Sequence, residues 1–541
     1  MDLISNLPLH IIHKIMSYLS TRELAQTNLL SRKWKNNIRP TFPIFIFNQL
    51  DLGKDLPYFC PRILFKYHPE KFTESVEDFR KFVDSTLDQF CDRDEMKLRM
   101  QKFKLVIGIT SNLESWYPLV DKWIGLALEH QVKNLNLHFQ IFQNGKYPLP
   151  ETVFLAKSIN ILKLYGCKLL LPSSNYAFKF HSLTKLKLEK VILDEQMIQK
   201  LTSNSPLLED IDIVHCWGFA YCHVPNLPKL RTFAISSPVE DLTSIKIAAP
   251  NLRHCRLNLF DIKNPPYRIS LAESCHLRIL DLTGNLIADR DFDYLISKFT
   301  LLEELVVLSC KSLRKVTISS QTLKLLDIRE CLLEAIHIDA PNLLEFFLFN
   351  YGKIPMASIN IPCPWDISFE GSNDNVDTLW YLKLRKFLET SSPIEWLSID
   401  IMVYEHSFNL EEFRQNSPPP PREIQELHLT VVIPESEYAA VLDAYFSVCH
   451  PKTLSLPTHH GDNERSNFYM WVYETLVNGD TYCCSCSNVK CWRHYLKDIK
   501  LESFHGKVAP PDSGEWKNEW RNLPEGTVGF ALEWCFDVEN D

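Results

Sequence analysis

Glycine is scarce in this 541-residue chain, with only 15 present. That removes most of the flexible loops that cradle phosphates, and none of the Gly-Lys pairs is followed by Ser or Thr as a P-loop requires. Neither G-x-S-x-G nor H-E-x-x-H occurs, so the commonest hydrolase and zinc-protease signatures are missing. No nucleophile, base and orienting group stand at meaningful spacing, and the chain is read as non-catalytic, without a cofactor. Positive charge is in deficit as well: 58 Lys and Arg face 67 Asp and Glu, a net charge of −9. No global field therefore draws the protein to nucleic acid or an anionic membrane. Apolar runs fall short of the roughly 18 residues a bilayer span needs, and the segment Phe42 to Phe47 is a short strand at best. Met1-Asp2-Leu3 opens no basic, apolar, small-residue leader, so the 16 cysteines are expected to be reduced thiols in the cytoplasm and/or nucleus.

What is present is the composition of a folded protein, 45% hydrophobic and 23% charged. Near the N-terminus, Pro8 stands where a helix tolerates it, and Ile11, Ile12, Ile15, Met16 and Leu19 follow at helical spacing. Ser20 and Glu23 have capping-box spacing ahead of Leu24, Ala25 and Leu29, and Leu30, Trp34 and Ile38 mark a third short turn. About forty residues with so many aliphatics hide too small a fraction of their surface to bury them all against one another. Some must dock elsewhere.

The residues Leu7-Pro8, Ile11-Ile12, Ile15, Ser17-Tyr18-Leu19, Leu29-Leu30-Ser31-Arg32 and Trp34 resemble the F-box, the motif by which substrate receptors attach to the Skp-type adaptor of cullin-based ubiquitin ligases. The likeness covers about residues 3 to 45. It implies an adaptor-binding set of Leu7, Pro8, Ile11, Ile12, Ile15, Leu19, Leu29, Leu30 and Trp34. An ordinary helical cap over the following core accounts for the same pattern, and the two are compatible if Trp34 and Ile38 face inward.

Further on, apolar-x-x-apolar-x-apolar recurs as Val132-Leu135-Leu137, Ile159-Leu162-Leu164, Leu183-Leu186-Leu188 and Leu208-Ile211-Ile213, and again up to Ile424-Leu427-Leu429. Centres about 20 to 30 residues apart are the signature of leucine-rich repeats, each giving one strand of a parallel sheet. Between Leu305 and Phe346 the windows crowd to about ten residues, too few for a full coil. Alternate windows are therefore expected on opposite walls, with Leu305, Leu326 and Phe346 on one and Val316 and Ile336 on the other. Longer spacings leave room for outer helices such as Asp194 to Leu201 and Arg290 to Ser297.

The expected fold is α/β: a three-helix F-box over residues 1–45, a transition segment over 46–130, an irregular leucine-rich-repeat solenoid with a parallel sheet over 131–460, and a C-terminal capping region over 461–541. The segment with Phe79 to Asp84 and Asp121 to Ile124 is similar to the transition of plant F-box proteins with leucine-rich repeats. Residues beside the last two apolar positions of each window point out of the core. Lys163, Lys185 and Lys187 then make a basic spot, beside Asp210 and Asp212 and, further along, Lys246 and Arg256. Alternating sign suits a target protein better than a polyanion. Cys483, Cys486, Cys491 and His494 have the composition of a zinc site, but the tight first spacing is poor for closing one, and free structural thiols are the preferred reading. The resemblance implies a substrate receptor whose partners are the adaptor, through it a cullin, and an unknown target. The rivals are a small-molecule sensor on the same scaffold and a structural protein without ligase partnership.

Overall fold

The computed structural model describes residues 4–19, 21–49, 69–91, 99–109, 113–141, 145–172, 178–236, 242–259, 268–271, 274–284, 287–351, 353–372, 376–389, 394–402, 406–416, 421–458, 463–477, 491–506 and 526–535. Two compact units emerge, Met1–Leu277 and Arg278–Asp541.

The first unit starts with helices α1 (Leu9–Met16) and α2 (Thr21–Gln26), then a π-helical turn, Trp34–Ile38, and a 3-10 turn, Arg39–Thr41. Pro8 caps α1 with extended backbone, and its carbonyl accepts from the amides of Ile11 and Ile12 at 2.9 and 3.2 Å. A proline at that point sacrifices no intrahelical donor. The expected cap at Ser20 lies outside the described residues. Ile12, Met16, Leu24, Trp34, Ile38 and Phe42 close a small core, with Leu19 and Ile44 packed against it.

From Ile44 the chain lays down a parallel sheet. Strands β1 (Ile44–Asn48), β2 (Lys102–Ile109), β3 (Asn134–Ile141), β4 (Ile161–Tyr165), β5 (Lys185–Glu189), β6 (Asp210–Val214), β7 (Thr232–Ser236) and β8 (His254–Asn258) pair in that order. Helices α3 (Pro69–Cys91) and α4 (Leu113–Glu129) lie between β1, β2 and β3 in the chain, supplying the crossovers that parallel neighbours need. The sheet thus begins ahead of residue 131, where the repeats were expected to start. A turn of the chain after β4 brings Gly166, at φ +72°, against the backbone of Phe139. Helix α5 (Glu195–Ser203) is capped by Asp194, whose carboxylate accepts from the Met197 amide at 2.8 Å. Beyond it the connections become extended: Tyr221–Val224, Ser244–Ile247 and Arg268–Ser270 form a separate three-stranded parallel sheet.

In the second unit β9 (Ile279–Thr283), β10 (Glu304–Leu308), β11 (Leu325–Cys331), β12 (Glu345–Tyr351), β13 (Trp365–Ser372), β14 (Ile394–Met402), β15 (Arg422–Val432) and β16 (Cys449–Thr458) again pair parallel in sequence. Lys315–Ser319, Ala335–Asp339 and Met356–Asn360 make a sheet of their own. The crowded windows therefore do fall on two walls, Leu305, Leu326 and Phe346 on one and Val316 and Ile336 on the other. Helix α6 (Asp289–Ser297) is the expected outer helix, and its first residue accepts from the amides of Arg314 and Lys315 at 2.8 and 3.0 Å. Along β12 the buried Asn350 side chain accepts from the Leu333 amide at 2.7 Å and donates to the carbonyls of Leu333 and Lys353 at 3.1 and 2.9 Å. Past β16 the direction reverses: Gly526–Trp534 pairs antiparallel with β16 and with Leu496–Gly506.

In both units strand alternation places the core. Leu162 and Leu164, Leu186 and Leu188, and Leu305 and Val307 are all buried, while the residues between them face out. Each such side chain stabilises by about 1.5–3 kcal/mol relative to exposure.

Candidate functional site

Two surfaces of the first unit carry the side chains on which function was expected to rest. The first is the N-terminal helical module. Helix α1 is apolar on two ridges about 100° apart. Ile12 and Met16 form one ridge and turn into the core, where Ile12 is 2% exposed. Ile11 and Ile15, one residue earlier at each turn, form the other, and both remain 40% exposed. Leu7 and Pro8 are also exposed at the entry to the helix. Leu29 and Leu30 stand 86% and 61% exposed after α2, joined by Ile4, Leu9 and Tyr18 elsewhere on the module. Residues inside the module hold this display rigid: the Lys33 ammonium donates to the Ser5 carbonyl at 2.7 Å, and His13 packs edge-on to Phe42 with ring centroids 5.7 Å apart. Burial lowers the His13 pKa.

Of the nine residues singled out for docking, Leu7, Pro8, Ile11, Ile15, Leu29 and Leu30 are thus accessible. Ile12 and Trp34 are not, and this corrects their assignment: both are spent on the module's own core. Leu19 is intermediate, packed against that core from its edge. Isolated apolar side chains on a surface are ordinary, but here six of them crowd one short segment.

The second surface is the outward face of the sheet. Register places Lys104, Asn136, Lys163, Lys187, Asp212 and Arg256 along one row across β2 to β8, with Ala234 between the last two. The lysines expected to form one basic spot divide into two groups. Lys185 is ion-paired with Asp210, and Lys187 lies 3.0 Å from Asp212 and 3.7 Å from Glu189. Burial works against the Lys187 charge, but Asp212 and Glu189 outweigh it and raise its pKa. Such half-exposed pairs contribute about 0–1 kcal/mol each to stability and largely cancel one another's charge. Lys163 has no carboxylate within ion-pair distance among the described residues, and it lines an open depression of about 370 Å³ with Asn48, Lys104, Asn136, His138 and Tyr165. Lys246 does not belong to this face: it sits on the separate three-stranded sheet formed by Tyr221–Val224, Ser244–Ile247 and Arg268–Ser270. Its window has the same alternation as its neighbours', and only the wall it occupies differs.

Of the candidate metal ligands, Cys483 and Cys486 lie outside the described residues, Cys491 is buried and His494 is exposed. Among the described residues no group of three or more His, Cys, Asp or Glu is placed to hold a metal, and no helix is long and apolar enough to cross a membrane.

Residues 4–39 match the F-box domain, residues 94–275 the LRR domain of At1g61320/AtMIF1, and residues 247–363 the LRR repeats of the FBD-associated F-box protein At5g56370. The Arabidopsis thaliana F-box/LRR-repeat protein At4g14096 is 32% identical over 263 residues, 46% of this chain and 48% of the relative. A second from the same plant, At4g14103, is 33% identical over 260 residues, 46% of this chain and 60% of the relative. The chain belongs to the plant F-box/LRR-repeat family. The F-box/FBD/LRR-repeat protein At1g78750 of Arabidopsis thaliana extends the likeness to 341 residues at 26% identity, 61% of this chain and 68% of the relative. This F-box/LRR-repeat chain spans about half the length of the first of these relatives and 60% of the second. The F-box match ends just ahead of β1, and the first LRR match begins ahead of β2, in agreement with a sheet that starts before residue 131.

Proposed function

We propose that this protein is the non-catalytic substrate-recognition subunit of a Skp-cullin-F-box ubiquitin ligase, acting in the cytoplasm and/or nucleus. The F-box docks on a Skp-type adaptor, and through it on a cullin, by way of Leu7, Pro8, Ile11, Ile15, Leu29 and Leu30. The repeats hold a target protein. Tethering raises the target's effective concentration near a ubiquitin-charged enzyme, so that the receptor need supply no catalytic group. The antiparallel strands Leu496–Gly506 and Gly526–Trp534 close the repeat as a cap, because an antiparallel addition does not propagate a parallel coil.

The observation that carries the reading is the exposed ridge of α1, Ile11 and Ile15, on a module whose other ridge, Ile12 and Met16, already fills its own core. An interface of ordinary size buries about 1,200–2,000 Å² in total, and truncating a central anchor costs about 2 kcal/mol or more. Co-expression of the full chain with a Skp-type adaptor tests it. Capture of adaptor is expected, with loss on Ile11→Asp/Leu30→Asp. Absence of capture by the unaltered chain, or capture indifferent to that double change, overturns the reading.

A further inference from the structure

The sheet face carries a charge asymmetry that pattern alone did not reveal. The carboxylates of its lysine-rich half pair with one set of its lysines: Asp210 and Asp212 on β6 neutralise Lys185 and Lys187, and Glu189, at the end of β5 in register with Tyr165, lies 3.7 Å from Lys187. On the other side, Lys102 and Lys104 on β2 and Lys163 on β4 have no carboxylate within 4 Å among the described residues. Register sets Lys104 and Lys163 on one row, separated by Asn136. Adjacent strands are about 4.8 Å apart, so the two backbone positions are roughly 10 Å from each other. The lysines repel one another: burial lowers the Lys102 pKa, and Lys104 and Lys163 lower it further. Above this row His138 and Tyr165 stack with ring centroids 3.8 Å apart and planes 3° from parallel, and Lys190 donates to the Tyr165 hydroxyl at 2.9 Å.

We infer that this half of the face, from Lys102 and Lys104 on β2 to Lys163 on β4, binds an acidic segment of a target protein. The inference rests on the receptor reading above and gives the target its chemistry. The strands spend their backbone amides on the ladder, so the face offers no convergent N–H cradle of the kind that grips a single compact phosphate. It offers the flexible ammonium groups of Lys104 and Lys163 across an open depression of about 370 Å³, with the Asn48, Asn136 and Gln140 amides between and beside them and a single carboxylate, Glu189, engaged with Lys187, also in its lining. Acidic side chains two or three residues apart on an extended peptide recur every 7–10 Å or so, which matches the spacing of Lys104 and Lys163. The His138–Tyr165 stack at the edge gives an apolar neighbour of such a residue a flat surface to lie on.

The test is fluorescence anisotropy of a labelled oligoglutamate peptide with the full chain, using an oligoglutamine peptide as control. Binding of the acidic peptide alone is expected, and it should weaken as salt rises. Lys104→Glu/Lys163→Glu should lower affinity at least about tenfold, while Lys246→Glu, the same kind of charge reversal on the other sheet, leaves it unchanged. Lys104→Gln/Lys163→Gln removes the attraction without adding repulsion and should lower affinity by a smaller factor with an unaltered melting profile, so loss of folding does not masquerade as loss of binding. No binding by the unaltered chain, an equal loss in Lys246→Glu, or displacement of the peptide by equimolar inorganic phosphate overturns the inference, the last by assigning the site to a small anion. Adaptor capture on the same preparations keeps the two readings apart. Capture without peptide binding overturns this inference alone; peptide binding without capture upholds it and overturns the receptor reading.

Discussion

Ile11 and Ile12 are neighbours in sequence with opposite duties, so truncating each in turn separates folding from docking. Ile12→Ala removes about three methylene equivalents from a side chain that is 2% exposed. At about 0.8 kcal/mol per buried methylene the transfer loss is about 2.4 kcal/mol, and the cavity left among its neighbours brings the total to about 2–5 kcal/mol. Those neighbours are Met16, Leu24, Trp34, Ile38 and Phe42. Ile11→Ala acts on a side chain already 40% exposed, where the stability cost is about 0.5 kcal/mol, partly offset by the better helix propensity of alanine. Amide hydrogen exchange over α1 reads the first quantity locally: Ile12→Ala should speed exchange at least roughly 30-fold, Ile11→Ala only two- to three-fold or so. Calorimetry against a Skp-type adaptor reads the second, and Ile11→Ala should lose about 2 kcal/mol, roughly 30-fold, in affinity. Equal acceleration of exchange in the two variants would refute the two-ridge description of α1. An unchanged affinity in Ile11→Ala would refute its part in docking.

Three further outcomes are expected. Asn350→Ala strands the Leu333 amide and carbonyl and the Lys353 carbonyl, and should destabilise the second unit by about 2–4 kcal/mol, measured as a shift in its urea transition. Gly166→Ala drives a methyl group into the Phe139 carbonyl oxygen at a backbone angle of φ +72°, so the first unit should lose more than about 2 kcal/mol and become sensitive to limited proteolysis. His450 is wholly buried, and that burial, reinforced by the charge of Arg385, holds its pKa down at about 4 from an ordinary 6.5. Above pH 6.5 its contribution is nil. As pH falls from 6.5 towards 4 the unfolded chain takes up the proton first, so stability drops, by about 3 kcal/mol at the lower limit. Chemical denaturation across that range should show the fall in the native chain and a shallower one in His450→Gln.

Much of this architecture was legible because strand burial has period two. Pairs such as Leu186 and Leu188 announce an inward face, and recurrence fixes a parallel stack. Spacing alone told which windows near Leu326 had to change walls. Which wall a given window occupies is not written in its own residues, however: Ser244–Ile247 alternates exactly as a main-sheet strand does, and Lys246 was misplaced for that reason. Lys102 and Lys104 were passed over, although Lys102-Phe103-Lys104-Leu105 repeats the pattern of Lys185-Leu186-Lys187-Leu188, because long helical crossovers on either side of β2 hide its membership of the repeat. His138 and Tyr165 escaped notice because they lie past the third apolar position of their windows, where the strands continue. In α1 the helical period marked Ile11, Ile12, Ile15 and Met16 alike. With apolar residues on two sides of a short helix, only the packing of Trp34, Ile38 and Phe42 decides which side goes in.

The uncovered ridge of α1 and the exposed Leu29 and Leu30 also set a condition on how many copies of this chain a cell can keep. An orphan subunit with that much greasy surface is prone to clump with its own kind and to be seized by chaperones and proteases. Its abundance should then track the supply of whatever shields those side chains, and overproduction alone should yield aggregates rather than surplus protein.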